Sequence, residues 1–211
     1  MTLVAIAGTG TDVGKTYVAA AVLRALRDRG GSVAARKPVQ SFAPDDPSTD
    51  ADVLGLAGGV AATVVCPPHR WLAAPLAPPM AADALGLAPF TVAELAAEVR
   101  AGTAAGALVL VETAGGVRSP VAADGDCVAL IDALAPALVV LVADAGLGAI
   151  NLVRLSVDAL REHRLVVYLN RFAGGSDLHT RNAQWLRTHE GLDVVNDIEA
   201  LIARLDRLAS A

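Results

Sequence analysis

The sequence predicts an α/β fold, a parallel sheet with helices on both faces. Three observations lead there. Short apolar runs rich in β-branched residues recur along the chain: "LVAIA" (3–7), "ALVLVE" (107–112), "ALVVLVAD" (137–144) and "LVVYLN" (165–170). Almost no polar residue interrupts them, as expected of strands covered on both faces. Amphipathic helical patterns alternate with these runs, which is how parallel strands joined by crossover helices read. Composition agrees. Hydrophobic residues make up 54% of the 211 positions but aromatics only 3%, so the core must be Ala, Val and Leu.

The elements follow in order. The first strand runs straight into "GTGTDVGKT" (8–16), and residues 14–29 continue as a helix with Val18, Val22 and Leu26 on one face. Arg24, Arg27 and Arg29 gather near its polar end. Residues 33–36 ("VAAR") and 63–65 ("TVV") are weaker strand candidates. "STDAD" (48–52) starts a helical pattern, with Ser48 or Thr49 a natural N-cap. Thr91 followed by Glu94 is a capping box opening a helix over 91–101. Residues 149–162, 177–189 and 197–209 read as helices, and "LDVV" (192–195) as a possible last strand. The proline-rich stretch 67–79 is too short to divide domains, so one domain over 1–211 is expected.

Charge and cysteine usage exclude several classes. The formal net charge is −5, which gives no basic footprint for nucleic acid. Cys66 and Cys127 lie outside metal-ligand spacing and read as reduced structural thiols of a cytoplasmic protein. The four histidines form no ligand pair. "MTLVAIAG" lacks the basic start of a signal peptide. Runs such as "APALVVLVA" (135–143) are about half the length that crosses a bilayer, so no membrane association is expected.

"GTGTDVGKT" carries the chemistry. Its glycines let backbone N–H groups converge on phosphate oxygens, and the helix N-terminus adds partial positive charge. Lys15 would lie along the β- and γ-phosphates, and the Thr16 hydroxyl would bind Mg²⁺. The spacing is unusual. Five residues separate Gly8 from Gly14, where the common loop has four.

In such sheets ligands bind at the carboxyl ends of the strands. The polar residues placed there are Thr9 to Thr16, Lys37, Glu112, Asp144 and Asn170. Pro38 holds Lys37 extended, so its ammonium could neutralise a phosphoryl group or a carboxylate. Alone, Lys37 reads as a solvated lysine whose loss would scarcely affect folding. Asp50 or Asp52 could hold Mg²⁺ or simply favour the helix dipole. Glu112, ending a buried strand before Thr-Ala-Gly-Gly, fits the acidic metal ligand of a phosphate-loop site. "GLGAINL" (146–152) could bind a carboxylate at a helix start or be an ordinary turn. Asn170 offers an amide for a base edge, or a strand-end cap.

Together these segments resemble dethiobiotin synthetases, over most of residues 2–171. That family's loop also has five residues before Gly-Lys-Thr. "KPVQS" (37–41) resembles its Lys-Pro-Val-x-Ser, "TDA" (49–51) its Ser-Asp-Ala, "VETAGG" (111–116) its Val-Glu-Gly-Ala-Gly-Gly, and "LGAIN" (147–151) its Leu-Gly-x-Ile-Asn. The resemblance implies a P-loop NTPase-like fold and a cyclo-ligase of biotin biosynthesis. In that reaction 7,8-diaminopelargonate and CO₂ form a carbamate, which takes the γ-phosphate of ATP. The second amine then closes the ring, giving dethiobiotin, ADP and phosphate.

Carried over residue by residue, Asp12, Val13, Gly14, Lys15, Thr16 and Tyr17 would wrap the ATP phosphates. Thr16, Asp50 and Glu112 would hold Mg²⁺. Lys15 and Lys37 would stabilise the transfer, and Ser41 would contact the diamine. Thr113, Ala114, Gly115, Asn170 and Arg171 would border the nucleotide, with Asn170 facing adenine. Gly148, Ile150 and Asn151 would bind the substrate's carboxylate tail from the neighbouring subunit of a homodimer. Three departures stand out. Thr113 replaces a glycine, which would put a side chain beside the nucleotide. "APPM" (77–80) stands for Ser-Pro-His, and "GLDVVNDIEAL" (191–201) lacks an Ile-Pro segment that lines the base pocket. Two alternatives remain at this point: a partition-type ATPase switch, and a related P-loop ligase acting on another amine.

Overall fold

The computed structural model describes residues 1–103 and 106–209. β1 (Thr2–Gly8) feeds α1 (Lys15–Asp28), followed by β2 (Val33–Arg36) and the two-residue β3 (Gln40–Ser41). α2 (Asp50–Gly58), α3 (Ala62–Val65), a 3-10 turn (Pro68–Arg70), β4 (Trp71–Leu72) and α4 (Pro78–Ala84) lead to α5 (Val92–Ala101). Next come β5 (Leu108–Glu112), β6 (Pro120–Ala122), β7 (Gly125–Asp126) and α6 (Cys127–Leu134). β8 (Leu138–Asp144), α7 (Ala149–Ala159), β9 (Leu165–Asn170), α8 (Asp177–Thr188), β10 (Val194–Val195) and α9 (Ile198–Ala209) complete the chain.

The main sheet has the order β10-β9-β8-β1-β5-β2, and all its pairings are parallel. β1 is central, with Ile6 opposite Glu112 of β5 and Gly8 opposite Val142 of β8. The common direction gathers every carboxyl end at one edge. Gly8, Glu112, Asp144 and Asn170 end their strands there, and Lys37 follows β2.

Alternation along β1 explains the layers. Val4 and Ile6 join Val140, Val142 and Tyr168 beneath α1, α2 and α9, where Val18, Leu23, Leu54 and Ile202 pack. Ala5 and Ala7 turn the other way, with Val139, Leu141 and Val167, onto Ile131 of α6, Val153 of α7 and Leu186 of α8. α5 covers β5 through Leu95 and Val99 against Val109 and Val111. Small residues on β1 let these helices approach closely.

Both capping signals hold. Thr91 and Glu94 form the reciprocal pair at α5, and Thr49 with Asp52 does the same at α2. The weak strand at 63–65 does not form, because those residues belong to α3. Three β-branched residues are too few to outweigh the packing of Val65 into the α1–α2 core, where its carbonyl accepts from the Lys37 backbone N–H at 2.9 Å. Residues 33–36 and the end of 192–195 do form strands, at the two edges of the sheet.

Candidate active site

The loop between β1 and α1 is shaped by two residues with positive φ, Asp12 at 59° and Gly14 at 94°. Gly14 needs its lack of a side chain twice over. Its conformation is left-handed, and a Cβ there would collide with the Asn170 amide. Asn170 Nδ2 donates to the Val13 carbonyl at 2.9 Å, and Arg171 Nη2 donates to the Asp12 carbonyl at 2.7 Å. Arg171 also pairs with Asp144 at 2.7 Å. The end of β9 therefore holds the loop from behind.

At the front, Lys15 folds back over the loop and donates to the Gly10 carbonyl at 2.9 Å. The Thr16 hydroxyl lies 2.7 Å from Asp50 Oδ1 and 2.9 Å from Glu112 Oε1. Lys37 Nζ donates to Asp50 Oδ2 and to Glu112 Oε1, both at 2.6 Å, and to the Thr113 carbonyl at 3.3 Å. Four segments far apart in sequence thus meet at one point. Lys37 is only 2% exposed and Glu112 1%, which overturns the solvated lysine read from the sequence. β2 and the Lys-Pro turn bring Lys37 across the sheet edge, and two carboxylates compensate its burial.

The electrostatics follow from this packing. Burial lowers the pKa of Lys15, and the neighbouring charge of Lys37 lowers it further. Burial alone would lower Lys37 as well, but Glu112 and Asp50 hold its ammonium above the ordinary lysine range. Burial opposes ionisation of Asp50, yet the ion pair with Lys37 brings its pKa below the usual carboxylate value. Burial pushes the Glu112 carboxyl above the usual glutamate range, and the nearby Asp50 charge adds to this, although Lys37 and Thr16 act against it.

Could these residues hold Mg²⁺? Among the described residues no group of three or more His, Cys, Asp or Glu side chains converges as a metal cage. Mg²⁺ commonly needs no such cage, because one or two carboxylates suffice alongside phosphates and water. Glu112 Oε2 is buried and accepts no hydrogen bond from the described residues, so one hard oxygen remains free for a cation. With Thr16 and Asp50 beside it, the donor set fits.

A cavity of about 900 Å³ opens over this cluster. Its walls include Asp12, Gly14, Lys15, Thr16, Lys37, Ser41, Asp50, Glu112, Ala114, Gly115 and Arg171. A second cavity of about 510 Å³ adjoins it at Gly14 and Arg171, and is lined by Tyr17, Tyr168, Asn170, Phe172 and Asn196. Most of the residues singled out from sequence thus border one or other cavity. Thr113 is a correction: its side chain is fully buried, its hydroxyl reaches the Ile6 carbonyl at 3.4 Å, and it faces neither cavity. Val13 is likewise buried and takes part through its carbonyl. Gly148, Ile150 and Asn151, at the start of α7, border neither cavity within this chain.

The two candidate aspartates of α2 lie differently. Asp52 belongs to the capping box, while Asp50 turns into the cluster. Gln40, Asn196, Tyr168 and Phe172 were not among the residues singled out from sequence. Gln40 stands at the unspecified position of "KPVQS", Asn196 lies in a segment noted only for what it lacks, and the aromatics sit inside or just after an apolar strand.

A three-layer parallel sheet with a glycine loop and Gly-Lys-Thr at its central strand defines a P-loop nucleotide-binding protein. A family model described as an AAA domain matches residues 2–203. The ATP-dependent dethiobiotin synthetase BioD of Rhodococcus jostii (strain RHA1) is 37% identical over 210 residues, covering 97% of this chain and 89% of the relative. The protein of that name from Corynebacterium efficiens is 41% identical over 163 residues, covering 76% and 70%. The chain belongs to the dethiobiotin synthetase family. In fold it also resembles the signal recognition particle receptor FtsY from Elizabethkingia anophelis, with a TM-score of 0.59 at 14% identity. That match covers 95% of this chain and 61% of the receptor.

Proposed function

We propose that the chain is an ATP- and Mg²⁺-dependent cyclo-ligase that makes dethiobiotin from 7,8-diaminopelargonate and CO₂, releasing ADP and phosphate. One observation carries the reading beyond nucleotide binding. Lys37 stands 2.6 Å from both Asp50 and Glu112, beside Lys15 and Thr16, at the floor of a cavity that continues past the phosphate loop to Ser41. A second lysine next to the phosphate-loop lysine suits transfer of a phosphoryl group to a carbamate, where two anions must approach each other.

The residues divide the work. The loop amides and Lys15 cradle the β- and γ-phosphates, and Lys37 faces the oxygen that attacks. Thr16, Asp50 and Glu112 would hold Mg²⁺, which would neutralise phosphate charge when bound. Carbamate formation joins an amine nitrogen to CO₂ with loss of a proton. Phosphoryl transfer makes the carbamate carbonyl reactive, and the second amine closes the cyclic urea as phosphate leaves. No protein nucleophile is required, so positioning and charge neutralisation carry the rate. Asn170, with the second cavity, takes the adenine, and Ala114, Gly115 and Arg171 border the nucleotide.

We infer a homodimer in which Gly148, Ile150 and Asn151 reach the partner's substrate. That they do not line this chain's own cavity supports delivery between subunits, as does Leu147, 92% exposed at the same turn. We also place the protein in the cytoplasm. No helix among the described residues is long and apolar enough to cross a membrane.

The test is phosphate release from ATP, Mg²⁺ and bicarbonate, with and without 7,8-diaminopelargonate, and the product weighed by mass spectrometry. Diamine-dependent release with one dethiobiotin per phosphate is the expected result. Release that ignores the diamine would overturn the substrate.

A further inference from the structure

Gln40 has no part in the reaction as drawn above, yet it is 2% exposed and both ends of its amide are engaged. Its Oε1 accepts from the Ala51 backbone N–H at 3.0 Å, and its Nε2 donates to Thr49 Oγ1 at 3.2 Å. These partners flank a single residue, Asp50. Ala51 N–H lies in the first turn of α2 and has no partner within its own helix, so the Gln40 carbonyl satisfies a group that a helix start leaves open. Thr49 is the cap of that helix, and its hydroxyl is shared with Asp52.

The Asp50 side chain is held from the same segment. Lys37 Nζ takes Oδ2 at 2.6 Å, while Thr16 takes Oδ1 at 2.7 Å. Lys37 and Gln40 lie three positions apart, with the rigid ring of Pro38 between them. One four-residue segment therefore holds Asp50 directly by its carboxylate, through Lys37, and indirectly by its two neighbours Thr49 and Ala51, through Gln40. Asp50 is half-exposed and begins its helix, where fraying would otherwise swing the carboxylate away from Thr16 and Glu112.

We infer that Gln40 is a positioning residue for the metal site, fixing the first turn of α2 so that Asp50 meets the cation together with Thr16 and Glu112. The inference rests on the metal reading above. Loss of a partner that orients a metal ligand typically weakens metal binding by about 10- to 100-fold.

The experiment uses Mn²⁺ as probe, with the non-hydrolysable analogue AMP-PNP. Free Mn²⁺ is read by electron paramagnetic resonance on the full chain. Gln40→Leu keeps the bulk and loses both hydrogen bonds. It should weaken Mn²⁺ binding by about tenfold or more, while affinity for AMP-PNP without metal changes less than about twofold. Gln40→Glu still accepts from Ala51 and should bind Mn²⁺ more tightly than Gln40→Leu does.

Unchanged Mn²⁺ affinity in Gln40→Leu, accompanied by a lower melting temperature, would make Gln40 a helix cap only and overturn the inference. Parallel loss of Mn²⁺ and metal-free nucleotide binding would overturn it too. Where Gln40→Leu fails to fold by circular dichroism, Gln40→Met is read by the same criteria. Absence of Mn²⁺ uptake by the parent protein with AMP-PNP would remove the metal reading and the inference together. Uptake with no dethiobiotin formed would remove the substrate reading alone.

Discussion

Lys37 Nζ lies 2.6 Å from Glu112 Oε1, and neither side chain reaches solvent. The pair joins the segment after β2 to the end of β5 across the floor of the cavity. It is part of the fold as well as of the site. Lys37→Ala should therefore do two things. Turnover should fall by orders of magnitude, and the protein should lose about 3–5 kcal/mol of stability, because Glu112 is left buried without its cation. Thermal unfolding followed by circular dichroism checks the second part. An unchanged melting temperature would mean that Glu112 is compensated by another group.

Gly14→Ala tests the rear support of the loop. The new methyl meets the Asn170 amide, and the backbone stays left-handed at a cost of about 1–3 kcal/mol. Nucleotide affinity, measured by calorimetry, should fall by at least about tenfold. Asn170→Ala alone should also weaken binding, because the loop loses its bond to the Val13 carbonyl. The double variant should lose less than the two single losses combined, since the collision is gone; strictly additive losses would assign the Gly14→Ala effect to φ.

Acid stability should depend on Glu98. This side chain receives two bonds from Arg70, at 2.6 and 3.0 Å, and one contact from His69 at 3.2 Å. Partial burial would raise its pKa, but the Arg70 and His69 bonds win and bring it below the usual glutamate value. A carboxyl depressed on folding stabilises the protein above its unfolded pKa near ~4.3. That stability is lost as pH falls through the lower, folded value. The melting temperature should therefore drop more steeply on acidification in the parent than in Glu98→Gln. Parallel curves would show that the Arg70 pair contributes nothing to the acid transition.

Thiol reactivity offers an independent check on packing. Burial pushes the Cys66 thiol up to about 12 and raises Cys127 as well. Only thiolates react quickly with disulfide reagents. At pH 8 the folded protein should label slowly at both positions, and promptly in denaturant. Fast labelling of Cys66 in the native state would place it outside the core.

The parallel sheet and the phosphate loop were legible because their signals are local. An uninterrupted apolar run, a glycine loop and Gly-Lys-Thr lie within fifteen residues. What sequence could not supply was pairing over distance. Lys37 and Glu112 are 75 positions apart, so a lone lysine read as solvated although its partner was already suspected as a metal ligand. Thr113 misled for a related reason: following a strand end does not say which way a side chain turns, and this one turns inward. At 63–65 a β-branched triplet gave way to helix because Val65 is buried against α1 and α2. Gln40 was passed over because it fills the unspecified position of "KPVQS", and its role shows only when α2 is set against it.

The order of the strands also sets a schedule. β1 is made before its two neighbours, which begin more than a hundred residues later, with Thr2 opposite Leu108 and Val4 opposite Leu138. The loop that follows it is not supported from behind until Asn170 and Arg171 exist. At ribosomal speeds of about 5–20 residues per second, the first strand waits roughly 5–20 s for a partner. Throughout that time the nascent chain carries a Gly-Lys-Thr sequence with no rigid loop to display it. Affinity for nucleotide is acquired only once Asn170 and Arg171 have been made, which makes ATP binding a reporter of folding through β9 and leaves the "LVAIA" segment without its sheet partners until then.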